Sequence, residues 1–129
     1  MAHLKSKPSI RQELHRLKAQ LVPGEIVRSI WVIHQPPSGL GMDILATGEQ
    51  VGSPTLLEFV RENQPLLGCG GHIRESPHQP GGRWLNRVGN TVWIQPGQVD
   101  QKLYYPRVKL AEGATVQGCW HSVSGGAWP

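Results

Sequence analysis

Apolar residues at Ile10, Leu14, Leu17 and Leu21 recur at steps of four, three and four. That spacing places them on one face of a helix. Ser9 stands just before the stripe as an N-cap, and Gln12 stands where a capping-box partner belongs. Pro23-Gly24 ends the element. The run Glu25–Ile33 is then almost continuously apolar and rich in Ile, Val and Trp, the pattern of a strand buried on both faces. It stops at HQPPSG, residues 34–39, a loop by composition. Residues 40–52 are glycine-rich and unpatterned and read as a long connection. Ser53-Pro54 supplies a cap and an N1 proline for a second helix that buries Leu56, Leu57 and Val60. After Pro65 the short run Leu66–Cys69 reads as a second strand.

Strand, helix and strand at this spacing predict two parallel strands joined by a crossover. Beyond a loop at 70–83 the pattern changes. Apolar segments near 91–94, 102–110 and 115–121 are bounded by Asn90, Pro96-Gly97 and Glu112-Gly113, and they read as antiparallel strands. The expected organisation is a polar tail over 1–8, one partial domain over 9–121 and a flexible tail over 122–129. Among the aromatics, Trp31 is expected in the core, Trp93, Trp120 and Tyr105 on half-buried strands, and Trp84 and Trp128 at the surface.

Composition narrows the class. The 129 residues include 16 Gly and 11 Pro, which excludes a helical bundle, and two cysteines, Cys69 and Cys119, too few for a disulfide framework. No apolar run approaches the ~20 residues of a membrane span. The N-terminus lacks a signal-peptide core, so a cytoplasmic protein with no membrane partner is expected. Thirteen Lys and Arg against nine Asp and Glu give a net charge of +4. The cations are scattered, which argues against nucleic acid as a partner. RWLNR, Arg83–Arg87, is the one hint in the other direction.

Candidate chemistry lies at the strand ends. His34 follows the first predicted strand, and His72 follows the second after Gly70-Gly71. Ligands of open parallel sheets bind beyond the carboxyl ends of the strands, so the two imidazoles are expected at one edge, as a metal half-site. A second donor set, Cys69-x-x-His72 with Cys119-x-His121, has the composition of structural zinc, but its second spacing is tight. His3, His15, His78 and His121 otherwise read as exposed, and Asp43 and Glu75 as surface carboxylates.

HQPPSG after a β run, then VGS-x₃-L-x-F-V-x-E-N-Q-P-x-L ahead of GGHIRESP, then GNTVWIQPGQ, resemble the later motifs of the calcineurin-like metallophosphoesterases. Residues 26–98 match in order and spacing. The resemblance implies the C-terminal portion of an α/β/β/α sandwich: a parallel βαβ unit followed by antiparallel strands. It implies metal-dependent phosphoester hydrolysis, with His34 and His72 as ligands of one metal (Mn, Fe or Zn). Arg74 stands where the family's Gly-His-x-His motif has its last histidine. Arginine has no lone pair to offer a metal, but its planar fork suits phosphate. Gln95 replaces the Asn of the family's Asn-Pro-Gly segment. The family's earlier Asp-x-His, Gly-Asp-x-x-Asp and Gly-Asn-His motifs do not occur, and the chain has only Asp43 and Asp100 as aspartates.

The expectation is therefore a chain that is inactive alone and completed by upstream sequence or a second polypeptide. The alternatives are a non-catalytic remnant or binding module of the same fold, or a small basic nucleic-acid-binding module. A half-domain would leave strand edges bare, so marginal stability or self-association is expected.

Overall fold

The computed structural model describes residues 7–112 and 115–124. Trp128 and His3 lie outside the described residues. Helix α1 spans Ile10–Lys18, and both halves of its capping box form, Ser9 with the Gln12 backbone and Gln12 with the Ser9 backbone. Helix α2 spans Pro54–Asn63, capped by the Ser53 hydroxyl, which accepts from the Leu56 N–H. Gln64 ends α2 in the left-handed region at φ 50°.

Among the described residues the strands, in chain order, are β1 Ile30–Val32, β2 Leu67–Cys69, β3 Leu85–Val88, β4 Thr91–Ile94, β5 Leu103–Ala111 and β6 Thr115–Ser124. The first four form one sheet in the order β1-β2-β4-β3. β1 and β2 are parallel, as the pattern predicts. β4 is also parallel, to β2, which corrects the antiparallel expectation. Only β3, an unpredicted strand paired antiparallel to β4, runs the other way. β5 and β6 form a separate antiparallel ribbon. β6 continues through Ser124, past the expected domain limit at 121, and residues 125–129 lie outside the described residues.

The sheet separates two apolar clusters. On one face Trp31 and Trp93 pack with Leu56, Phe59 and Val60 of α2 and with Leu14 of α1. Gly68 lies between those tryptophans in the register Trp31↔Gly68↔Trp93, and a Cβ there would overlap the Trp93 ring. On the other face Leu67, Val92 and Ile94 are covered by Val108, Val116 and Cys119 of the ribbon.

Several expectations change. The run Glu25–Ile33 is not one long buried strand. Ile26–Arg28 forms a 3₁₀ turn, and β1 is a three-residue edge strand in which only Trp31 is buried. The ribbon stops short of β1, leaving Ile30 49% and Val32 81% exposed. Residues 40–52 are not a bare connection, because Leu40, Met42 and Ile44 are core residues. Asp43 is buried at 1% exposure rather than surface-lying, and its Oδ2 accepts the Gly52 N–H at 2.9 Å. Trp93 is fully buried, whereas Trp120 and Tyr105 are exposed. Trp84 is partly covered, stacked on His121 at a 4.9 Å ring separation.

Candidate functional site

The carboxyl edge of the parallel strands carries the site. The ladder continues past β1 and β2: the Ile33 N–H donates to the Cys69 carbonyl at 2.9 Å and the Gly71 N–H to the His34 carbonyl at 3.2 Å. The Gly70 N–H donates to Ile94 at 2.9 Å, which brings the end of β4 to the same edge. These bonds hold the backbones of His34 and His72 side by side.

The side chains meet. His34 Nε2 and His72 Nδ1 are 2.8 Å apart, with ring centroids 4.6 Å apart and planes inclined at 66°. Both residues are exposed. One ring nitrogen donates and the other accepts, according to tautomer. His72 holds a left-handed backbone, φ 66°. For a residue other than glycine that conformation costs energy and clusters at functional sites.

Two imidazoles make at most part of the ligand set of one cation. Two nitrogens bound to one metal at about 2.0–2.1 Å stand about 3 Å apart when the ligand angle is near 90°. The 2.8 Å contact is a ring-to-ring hydrogen bond, so both nitrogens would have to turn from each other to face a metal. A two-metal centre needs carboxylates, and among the described residues no three His, Cys, Asp or Glu side chains group around a point. Asp43 is turned into the interior toward Gly52.

The structure does not bring Cys69-x-x-His72 and Cys119-x-His121 into one ligand group. His121 is not an exposed bystander. It stacks on Trp84, and its Nε2 lies 3.0 Å from the Pro96 carbonyl oxygen. Burial pushes both thiols above their ordinary value, and at Cys119 the nearby Arg87 partly offsets it. Neither cysteine is thereby poised as a thiolate ligand.

Arg74, two residues after His72, is exposed. Its backbone N–H donates to the His72 carbonyl at 3.1 Å. Gln95 is buried, and its Nε2 donates to the Ile73 carbonyl at 2.5 Å, bracing the loop that carries His72. Gln95 Oε1 and Trp93 Nε1 are buried without a hydrogen-bond partner among the described residues. Both face Gly70: a Cβ there would stand 3.1 Å from Trp93 Nε1 and 4.0 Å from Gln95 Oε1. Sequence reasoning missed this donor–acceptor pair. The signal available was that Trp93 and Gln95 flank the end of β4, at the same edge as the histidines.

No family model matches the chain, and no curated protein matches it. One solved structure matches with a TM-score of 0.50 at 22% identity, over 68% of this chain and 32% of that one. That likeness concerns the fold alone, a mixed α/β architecture, and this chain spans about a third of the length of the structure it matches. Among the described residues no helix is long and apolar enough to cross a membrane.

Proposed function

We propose that this chain is a C-terminal portion of a metallophosphoesterase-like α/β/β/α sandwich, and that His34 and His72 form the part of its metal site that this chain supplies. The contact between His34 Nε2 and His72 Nδ1 at 2.8 Å, on the carboxyl edge of parallel strands, carries the proposal. The layering supports it: helices cover one face of the sheet and a β ribbon the other. A divalent cation (Mn, Fe or Zn) held there would polarise a phosphoryl oxygen. Arg74, on the same loop, would meet the phosphate with its guanidinium. The remaining ligands would come from upstream sequence or a second polypeptide, so the chain alone is expected to be inactive toward phosphoesters.

The test is equilibrium dialysis of the chain against Mn²⁺ or Zn²⁺. One weakly held ion per chain, lost in His34→Ala and in His72→Ala, is the expected result. No bound ion would overturn the metal assignment. It would leave the second reading, a non-catalytic module of the same fold, which the donor set favours because a working centre needs carboxylates as well as imidazoles.

A further inference from the structure

We infer that the outer face of the β5–β6 ribbon is a docking surface for single-stranded nucleic acid. Two of the chain's cations, Arg107 and Lys109, lie there beside aromatic rings. Tyr105, Arg107 and Lys109 alternate along β5 and are all exposed. In a strand, alternate residues share one face. Trp120 of β6 is registered opposite Arg107 and joins that face, 48% exposed, while Tyr105 is 38% exposed. Neither strand contains an acidic residue.

Trp120 is presented as a platform. It lies along the strand over Gly118, where a Cβ would come within 2.7 Å of its Cη2. Glycine at 118 lets the indole lie down on the ribbon. The Arg107 guanidinium carbon sits 5.8 Å from the centre of the Trp120 ring, across the strand pair. Tyr105 is a diagonal neighbour of Trp120 on the same face, roughly 7–8 Å away by sheet geometry. Bases stack on aromatic rings and on guanidinium planes, while Lys and Arg neutralise the phosphates between them. Two aromatic platforms, two cations and no carboxylate match a single strand. A duplex would hide the base faces, and a purely charged partner would make no use of the indole.

The proposal is independent of the metal site, and its test keeps the two apart. Fluorescence anisotropy of a labelled oligothymidylate is measured against the whole chain with a chelator present. Binding is expected at low ionic strength, weakening with salt at a log–log slope of about −1.4 for two neutralised phosphates on a single strand. Trp120→Ala is expected to weaken binding about fivefold or more, from the low end of base–aromatic stacking upward. Arg107→Ala is expected to lower both the affinity and the slope. Gly118→Val, which lifts the indole, should weaken binding as Trp120→Ala does. Circular dichroism checks that each variant is folded, and Arg107→Ala, at an exposed position, remains informative if Gly118→Val does not fold. His34→Ala and His72→Ala should bind the strand unchanged. Absence of binding at low salt, or affinity indifferent to Trp120 and Arg107, would overturn the inference. So would equal capture by phosphatidylserine vesicles that survives Trp120→Ala, since that would mark a merely cationic surface.

Discussion

His34 and His72 stand 38 residues apart in the chain, yet a ring nitrogen of each lies 2.8 Å from the other. The two sit just beyond neighbouring parallel strands, and the Gly71 N–H bond to the His34 carbonyl fixes their backbones at one height. The price is paid at His72, whose φ of 66° lies in the left-handed region.

That backbone gives the first prediction. At an ordinary position Ala is more stable than Gly by about 0.4–1 kcal/mol, because Gly enlarges the unfolded ensemble. At position 72 the order should reverse. A left-handed residue with a Cβ costs roughly 1–2 kcal/mol, so His72→Gly should be at least as stable as His72→Ala. At His34, which has no positive φ, the ordinary order should hold. Urea denaturation of the four variants checks this, and His72→Ala outlasting His72→Gly by the usual margin would sink it.

The second prediction concerns Gly68. Its missing side chain is replaced by the Trp93 indole, fully buried between β2 and α2. Gly68→Ala should cost about 3 kcal/mol, the upper end for an added methyl in a packed core, since the obstacle is a ring held on both sides. Trp93→Leu removes the obstacle. Combined with Gly68→Ala it should destabilise by less than the sum of the two single changes. Additive losses in a double-mutant cycle would show that the ring and the glycine are not coupled.

Helix caps give a third. Ser53 is buried, and its hydroxyl accepts from Leu56 N at 3.1 Å. Ser9 makes the same bond to Gln12 N at 3.2 Å in the open. Ser53→Ala should cost about 1–2 kcal/mol and Ser9→Ala about 0.5 kcal/mol, because water replaces the lost acceptor at α1 but not at α2. Thermal melts of the two variants measure the difference.

The thiols give a fourth, with a definite sign. Burial raises the Cys69 and Cys119 thiols above the ordinary 9.0. The folded chain therefore holds these protons to higher pH than the unfolded chain. The stability this contributes is fully present below about pH 9 and is lost as pH rises through the folded values. At Cys119 the charge of Arg87 opposes the rise. Iodoacetamide should label Cys119 faster than Cys69 in the native chain, and Arg87→Gln should slow Cys119 alone. Equal rates at the two thiols would contradict this.

Much of this architecture was legible because local signals and tertiary context agreed. Both helices, both N-caps, the parallel β1–β2 pair and the shared edge of His34 and His72 followed from apolar spacing, capping residues and the strand-end rule. Reading failed where one signal had two meanings. The apolar run Glu25–Ile33 resembled a doubly covered strand, but its apolarity does not say whether a partner covers it, and in this chain one face of β1 is bare. Leu40, Met42 and Ile44 alternate at the strand period of two, but Gly41 and Asp43 between them make the segment read as a connection. It is buried without forming a regular strand because its backbone is bonded elsewhere, as Ile44 N is to the Ser76 hydroxyl at 2.8 Å. β4 carries an apolar run that fits either strand direction. Its parallel pairing to β2 depends on β3 being inserted first as the outer strand of a hairpin, and LNRV gives too faint a pattern to announce one.

The bare face of β1 carries the last prediction. The Ile33 N–H bonds to Cys69 and the Ser29 carbonyl accepts from Leu66. Odd-numbered positions therefore turn their polar groups toward β2. By the alternation of a strand, the N–H and C=O of Ile30 and Val32 point away from the sheet, with no strand beyond them among the described residues. The same two residues, with Leu17 and Leu21, line a groove of about 260 Å³ at this edge. Free ladder groups beside an apolar surface form a template for another strand. At rising concentration the chain should self-associate through this edge. Val32→Lys places a charge on an 81% exposed position, so it should suppress association while changing monomer stability by no more than about 0.5 kcal/mol. Sedimentation velocity over a concentration series separates the outcomes: association that persists undiminished in Val32→Lys would locate the contact elsewhere, and a strictly monomeric parent chain would mean that this edge is satisfied as it stands.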